Sequence, residues 1–344
     1  MGELIVIAFL VLALIAYVIT GGADFGVGIL ELAERPERRD ELRAVGERAI
    51  APVWEANHIW IIVALVIVFV GFPQVHVQMT TVLHIPLLLM LVGIILRGTA
   101  FTFRYYDIGE GEGRGPWTTF FRGGSVMVPM MFGHMVAAMS RGRFSAEPTS
   151  VYDAYIHPWV GWFPFATGLF VTALFAWIAA VFLVGEERAE RKAPAAARAR
   201  RWTVLLVPLS GAVTLTAWLE GVPWLVDALR SPLLYGVAIL ALGSTLVLWR
   251  LLDSERLWTV RALAGAVVVS VLAGYWGAVY PTAVQLEGGA SIGWHEAAAP
   301  SATMNALAVT LIAASLLILP GLAWLYRLFK TPNPEDRGGP VQPS

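Results

Sequence analysis

The sequence predicts an all-α integral membrane helical bundle of nine transmembrane helices, with the N-terminus outside and the C-terminus cytoplasmic. Three observations carry that expectation. Only 14% of the 344 residues are charged while 57% are hydrophobic, against about 25% charged in an ordinary soluble domain. Apolar stretches of roughly 20 residues, the length a bilayer core requires, recur along the chain. Fourteen tryptophans suit the membrane–water interfaces, where the ring is buried and the N–H stays wet. The apolar residues run all round each stretch instead of alternating, which favours helices over an outer-membrane barrel.

The nine spans are expected near 4–22, 53–72, 79–101, 117–139, 158–184, 203–219, 233–252, 259–280 and 303–328. The first closes on "TGGADFGVGILE", whose Gly22 and Gly26, four apart, suit close helix packing. Gly21, Gly22, Gly26 and Gly28 do not make a dinucleotide loop, because that fingerprint needs a preceding strand and a βαβ unit. The second span opens at Pro52, a residue suited to a first helical turn. The third ends on Arg97 and Arg104. After the fifth, "GEERAERKAPAAARARR" is a charged linker with an Ala-rich helical tendency. The loop 281–302 between the last two spans has no basic residue. From Thr331 the tail "TPNPEDRGGPVQPS" is rich in Pro and Gly and is expected to be disordered. Residues 1–330 thus read as a single transmembrane helical domain, with 331–344 a cytoplasmic tail.

Basic residues set the orientation. With the N-terminus outside, only Arg141, Arg143 and Arg230 of the 24 basic residues fall on the outer face. The Arg-rich inner segments are topology signals that meet anionic headgroups, and no nucleic-acid partner is expected. The chain has no cysteine, which excludes disulfides, thiolate metal sites and Cys nucleophiles. The segment after Met1 is apolar but lacks a basic n-region and a small-residue cleavage site, so no cleaved signal peptide is expected.

Chemistry is most concentrated in "WEANHIW", residues 54–60. Glu55 lies about one turn inside the second span on the cytoplasmic side, with Asn57 and His58 close by, and Asp24 lies near the same inner surface. Two carboxylates on adjacent helices resemble the mouth of a proton path. The competing reading has both at the interface, satisfied by the Arg-rich segment 35–48 or by helix N-terminal amides. Glu55-x-x-His58 is a lone element, whereas a di-iron bundle needs a second one and two further carboxylates; no metal site is expected. His58, His84 and His134 fall on or near spans and are the candidates for haem ligation, although a membrane histidine is more often hydrogen-bonded to a neighbouring helix. His295 follows Trp294 in an outer loop, as a partner contact or a solvated residue. Arg97 and Arg104 snorkel to the headgroups by default; pairing of Arg97 with Glu55 or Asp24 is the alternative.

At these residues the chain resembles subunit II of the cytochrome bd-type quinol oxidases. "TGGADFGVGIL" is similar to the family's Asp-[Phe/Met]-Gly-Val-Gly-[Met/Ile]-Leu segment. "IAPVWEANHIWIIVA" is similar to its Pro-x-Trp-[Asp/Glu]-x-Asn-x-x-Trp-[Ile/Leu] segment, and "LVGIILRGTAFTFRYY" to its Leu-Arg-x-x-[Ala/Gly]-[Phe/Ile]-x-x-Arg segment. The first two together are specific, "YPTAVQLEGGASIGWHEAAAP" is a weaker match, and the nine-helix topology agrees over the full length.

The resemblance implies a prokaryotic cytoplasmic-membrane heterodimer of the respiratory chain that oxidises quinol and reduces dioxygen to water. In the family the haems, haem b and haem d, belong to partner subunit I, as does the quinol-oxidising loop. Subunit II usually carries no haem, stabilises the complex and contributes a proton path, so no cofactor is expected on this chain and no activity from it alone. On that basis Asp24 and Glu55 are the proton-relaying carboxylates. Trp54, Asn57 and Trp60 shape their surroundings, with His58 and Arg97 in support. A structural quinone or lipid, membrane lipids and a small single-helix subunit are further expected partners. Glu55 stands where many relatives have Asp, His58 where Gln or Glu is common, and Gly21 where some carry an acid. Two other classes compete: a secondary transporter or ion channel using Asp24 and Glu55, for which no matching pair of broken helices is visible, and a structural scaffold with no proton role.

Overall fold

The computed structural model describes residues 1–50, 54–106, 115–186 and 192–330. The side chains of Trp54 and Glu55 lie outside those described, as does the tail 331–344.

The chain is built from helices α1 (Gly2–Ala33), α2 (Pro36–Ile50), α3 (Trp54–Gly71), α4 (Pro73–Val82), α5 (His84–Tyr106), α6 (Pro116–Arg141), α7 (Val151–Tyr155), α8 (Trp162–Leu183), α9 (Lys192–Leu219), α10 (Leu225–Ala228), α11 (Pro232–Leu251), α12 (Leu257–Val279) and α13 (Ser301–Lys330). Between α12 and α13 an antiparallel hairpin pairs β1 (Thr282–Gln285) with β2 (Ser291–Gly293). Among the described residues, seven helices are long and apolar enough to cross a membrane, and eight spans result if the bent pair α3–α4 counts as one. α6 has the length of a span, at 26 residues, but is not among the seven.

Proline and glycine set most boundaries. Pro36, Pro73, Pro116 and Pro232 each sit at the start of a helix, where the missing N–H costs nothing. The Gly71-Phe72-Pro73 break turns α4 by 116° from α3. Residues before a proline are pushed out of the helical region, and α1 ends at Ala33 with Glu34 already extended, two residues before Pro36. Gly142 closes α6 with φ +77°, the left-handed cap that glycine adopts without strain.

α8 is the central helix. Of its apolar window 78% is buried, against 11% for α9, α11 and α13. It packs on α1, α6 and α9, while α5 lies on α6, α3 on α1 and α11 on α12. Small residues make the closest approach. A Cβ on Gly26 would stand 2.1 Å from the Phe175 carbonyl oxygen, and one on Gly22 would meet Ile178 at 2.8 Å, so the small-residue packing expected of these glycines joins α1 to α8.

Three elements differ from the sequence reading. The first helix runs on to Ala33, so the glycine segment lies inside it and Asp24 is buried instead of near its end. Glycine costs roughly 1 kcal/mol in a helix interior, but here each one is repaid in close packing. The segment 36–50 forms a separate polar helix, α2, and the loop after α12 contains the hairpin. The Ala-rich linker does become helix, as the first turns of α9.

Candidate functional site

The site is built on one face each of α1, α5 and α6. On α1, Asp24, Gly28 and Glu31 follow at i, i+4 and i+7, and on α5 Arg97, Phe101 and Arg104 repeat the same spacing. Residues so spaced share a helix face, and the constant offset of the pairs Asp24–Arg97 and Glu31–Arg104 means that two parallel helices present matching rows.

The upper rung is Asp24 with Arg97. Both are buried, at 1% and 0% exposure. Arg97 Nη2 donates to Asp24 Oδ1 and to the Asp24 backbone carbonyl at 3.3 Å. The guanidinium carbon lies over three rings, 5.1 Å from the centroids of Phe25 and Phe121 and 5.6 Å from that of Phe101. A desolvated cation gains from such faces. Asn57, His58 and Tyr17 lie close enough to interact with the Asp24 carboxylate. His58 also packs edge-on to Phe25, centroid to centroid 5.6 Å, and Trp60 packs against the surrounding core. Among the described residues, Asp24 Oδ2, Arg97 Nε and Nη1, and the Tyr17 hydroxyl have no hydrogen-bond partner.

The lower rung is Glu31 with Arg104. Arg104 Nη2 donates to Glu31 Oε2 and to Glu47 Oε1, each at 3.1 Å. Arg122 of α6 holds Glu31 Oε1 at 2.8 Å, and Arg43 holds Glu47 at 2.9 Å. A polar hollow of about 680 Å³ opens beside this rung, lined by Glu31, Glu47, Thr118, Thr119 and Arg122. Phe121 lies between the rungs, with the Arg104 guanidinium 4.3 Å from its centroid.

The structure therefore brings Asp24, Asn57, His58 and Arg97 together, and it answers one open alternative: Arg97 pairs with Asp24 and does not snorkel. Arg104 pairs with Glu31 and Glu47 instead of the headgroups. Glu55 belongs to the first turn of α3, two residues before Asn57; its side chain, like that of Trp54, lies outside those described. Tyr17, Glu31, Glu47, Phe121, Arg122 and Ser125 were not singled out from sequence. The shared seven-residue spacing of Asp24–Glu31 and Arg97–Arg104 was the available signal.

The remaining histidines are otherwise engaged. His84 Nδ1 is 2.9 Å from the Thr81 carbonyl and His134 Nδ1 2.8 Å from that of Met130. An apolar cavity of about 200 Å³, lined by Leu14, Met79, Met135, Tyr275 and Trp276 among others, has no histidine in its wall. Among the described residues no group of three or more His, Cys, Asp or Glu is placed to hold a metal ion. His295 bonds Glu3 and, at 2.8 Å, the Tyr280 hydroxyl.

Fold and site together define a multi-pass membrane protein whose helices enclose ion-paired carboxylates. The family profile described as cytochrome bd terminal oxidase subunit II matches residues 2–329, and the chain belongs to that family, which supplies a subunit of a respiratory terminal oxidase. It is 30% identical over 155 residues to the cytochrome bd ubiquinol oxidase subunit 2 of Bacillus subtilis, covering 44% of each chain. It is 30% identical over 120 residues to the cytochrome bd-I ubiquinol oxidase subunit 2 of Escherichia coli K12, covering 35% of this chain and 31% of that one. The matched segments thus span less than half the length of these relatives. A chain of the bd oxidase structure from Geobacillus thermodenitrificans superposes with a TM-score of 0.71 at 22% identity, over 96% of this chain and 98% of that one, which establishes a shared fold.

Proposed function

We propose that this chain is the non-haem subunit of a heterodimeric quinol:oxygen oxidoreductase, and that Asp24 and Glu55 carry protons from the cytoplasm toward an oxygen-reducing site in subunit I. Protons taken up inside, while quinol releases its own outside, build a membrane potential without a pump. The bundle then has nine spans, with α3 and α6 among them, the N-terminus outside and the α2 end in the cytoplasm.

The observation that carries the proton role is the buried Asp24–Arg97 pair in a chain of this family. Replacing a buried pair by apolar side chains of similar volume is often neutral or stabilising, so stability alone gives a weak reason to bury these charges. An intramembrane carboxylate facing the bundle interior is a functional residue by default. Glu55, two residues before Asn57 on α3, is the second carboxylate of the path. The haems belong to subunit I, and the exposed apolar faces of α9, α11 and α13 meet that subunit, lipid or a small single-helix subunit. The apolar cavity beside Trp276 suits a quinone or an acyl chain.

The test is purification of this chain by its own tag from native membranes, with a reduced-minus-oxidised visible spectrum of what accompanies it. Haem bands, a second large membrane subunit and quinol-dependent oxygen uptake support the proposal. A colourless chain without a partner overturns it.

A further inference from the structure

Between the two rungs, beside the Phe121 ring, buried polar groups of the three helices form a polar seam. Asp24, Gly28 and Glu31 line it from α1. Ser125 of α6 faces Gly28 so closely that a Cβ there would stand 2.2 Å from the Ser125 hydroxyl. Ser125 is fully buried, and its Oγ has no hydrogen-bond partner among the described residues. The same holds at either side of it for Asp24 Oδ2, Arg97 Nε and Nη1, and Arg104 Nε and Nη1. Most buried polar atoms without a partner among the described residues belong to this seam. Buried polar groups that the protein leaves unmet are satisfied by ordered water. Asp24 and Glu31 are seven residues apart, about 10 Å along the helix at 1.5 Å per residue, and Ser125 faces Gly28 between them.

We infer that Glu31 is the first carboxylate of a proton inlet that leads from the polar hollow beside α2, past the Ser125 hydroxyl, to Asp24. The inference rests on the proton role proposed for Asp24, and adds a route to it on residues outside the 54–60 segment. Each step moves one proton between oxygens. Bulk water in the hollow protonates Glu31, which gives up a hydrogen bond from Arg104 or Arg122. The proton passes along the water and hydroxyl chain at Ser125 to Asp24 Oδ2, and Glu31 regains its arginine. Only O–H bonds form and break, and water is the proton source. The positive charge of the paired arginines opposes the passage of metal cations.

The experiment compares Glu31→Gln, Glu31→Asp, Ser125→Ala and Asp24→Asn in the full chain, purified with its haem-bearing partner. It reads quinol-driven oxygen uptake per haem and the solvent deuterium isotope effect on it. The inlet requires several-fold slower turnover and a larger isotope effect in Glu31→Gln and Ser125→Ala, with haem content unchanged and most activity restored in Glu31→Asp. Full turnover in Glu31→Gln beside a slow Asp24→Asn overturns the inlet and leaves the role of Asp24 standing. Full turnover in both removes the proton role itself. Where Glu31→Gln does not assemble, Ser125→Ala decides: an unchanged rate and isotope effect overturn the inlet.

Discussion

Arg97 donates to both the carboxylate and the backbone carbonyl of Asp24, two contacts from one nitrogen that tie α5 to α1 in the interior of the bundle. The pair is closed on the remaining sides by Phe25, Phe101 and Phe121. Removing one partner leaves the other charge buried without compensation, which costs about 3–5 kcal/mol.

Arg97→Ala is therefore expected to abolish assembly or to lower the thermal stability of the complex sharply, read as haem lost from purified membranes on heating. The double replacement Asp24→Asn with Arg97→Gln removes both charges and is expected to assemble better than Arg97→Ala alone.

Gly26→Ala places a methyl 2.1 Å from the backbone oxygen of Phe175, and backbone cannot move aside as a side chain can. Separation of α1 from α8 is the expected outcome, with little complex recovered. Gly211→Ala, where nothing lies within 4 Å, is expected to assemble as well as the parent chain, and recovery after affinity purification measures both.

Much of this was legible in the sequence. Asp24, Asn57, His58 and Arg97 stood out because polar side chains in apolar runs are expensive and therefore meaningful. The helices that cross the membrane were visible in the length of those runs. Glu31 and Arg104 were hidden because they lie at span ends, where a charge is ordinary and snorkelling explains it. Their significance depends on α1 continuing past its glycines to Ala33, a tertiary effect: α8 packs into the groove those glycines make, and local propensity alone disfavours them. The hairpin was hidden because its strands are four and three residues long, too short for an alternating pattern.

At the opposite end of the bundle, Arg141 bonds Glu220 at 2.6 Å and donates Nη1 to the carbonyls of His157 and Val160 at 2.8 and 2.9 Å. Glu220 Oε1 also accepts from the Phe163 N–H at 3.1 Å, so the pair ties the start of α8 to the end of α9. Arg141→Ala leaves several of these groups unmet, at about 1–3 kcal/mol each. Its complex is expected to melt several degrees lower than the parent while keeping its turnover per haem, because the pair lies away from Asp24.

Inside the bundle, Trp177 Nε1 donates to Thr203 Oγ1 at 2.8 Å. Thr203→Val keeps the shape and strands one buried donor, a loss of about 1–3 kcal/mol. A lower thermal midpoint with normal oxygen uptake is expected, checked by calorimetry and an oxygen electrode on one preparation.

The central claim is that Asp24 carries protons instead of serving assembly alone. The direct measurement is quinol-driven oxygen uptake per haem in the assembled Asp24→Asn complex. Asparagine keeps the size and one acceptor oxygen but cannot be protonated in turn. A proton carrier requires turnover to fall by about tenfold or more with haem content intact. Parent-like turnover in the fully assembled variant would contradict that role and reduce the buried pair to scaffolding.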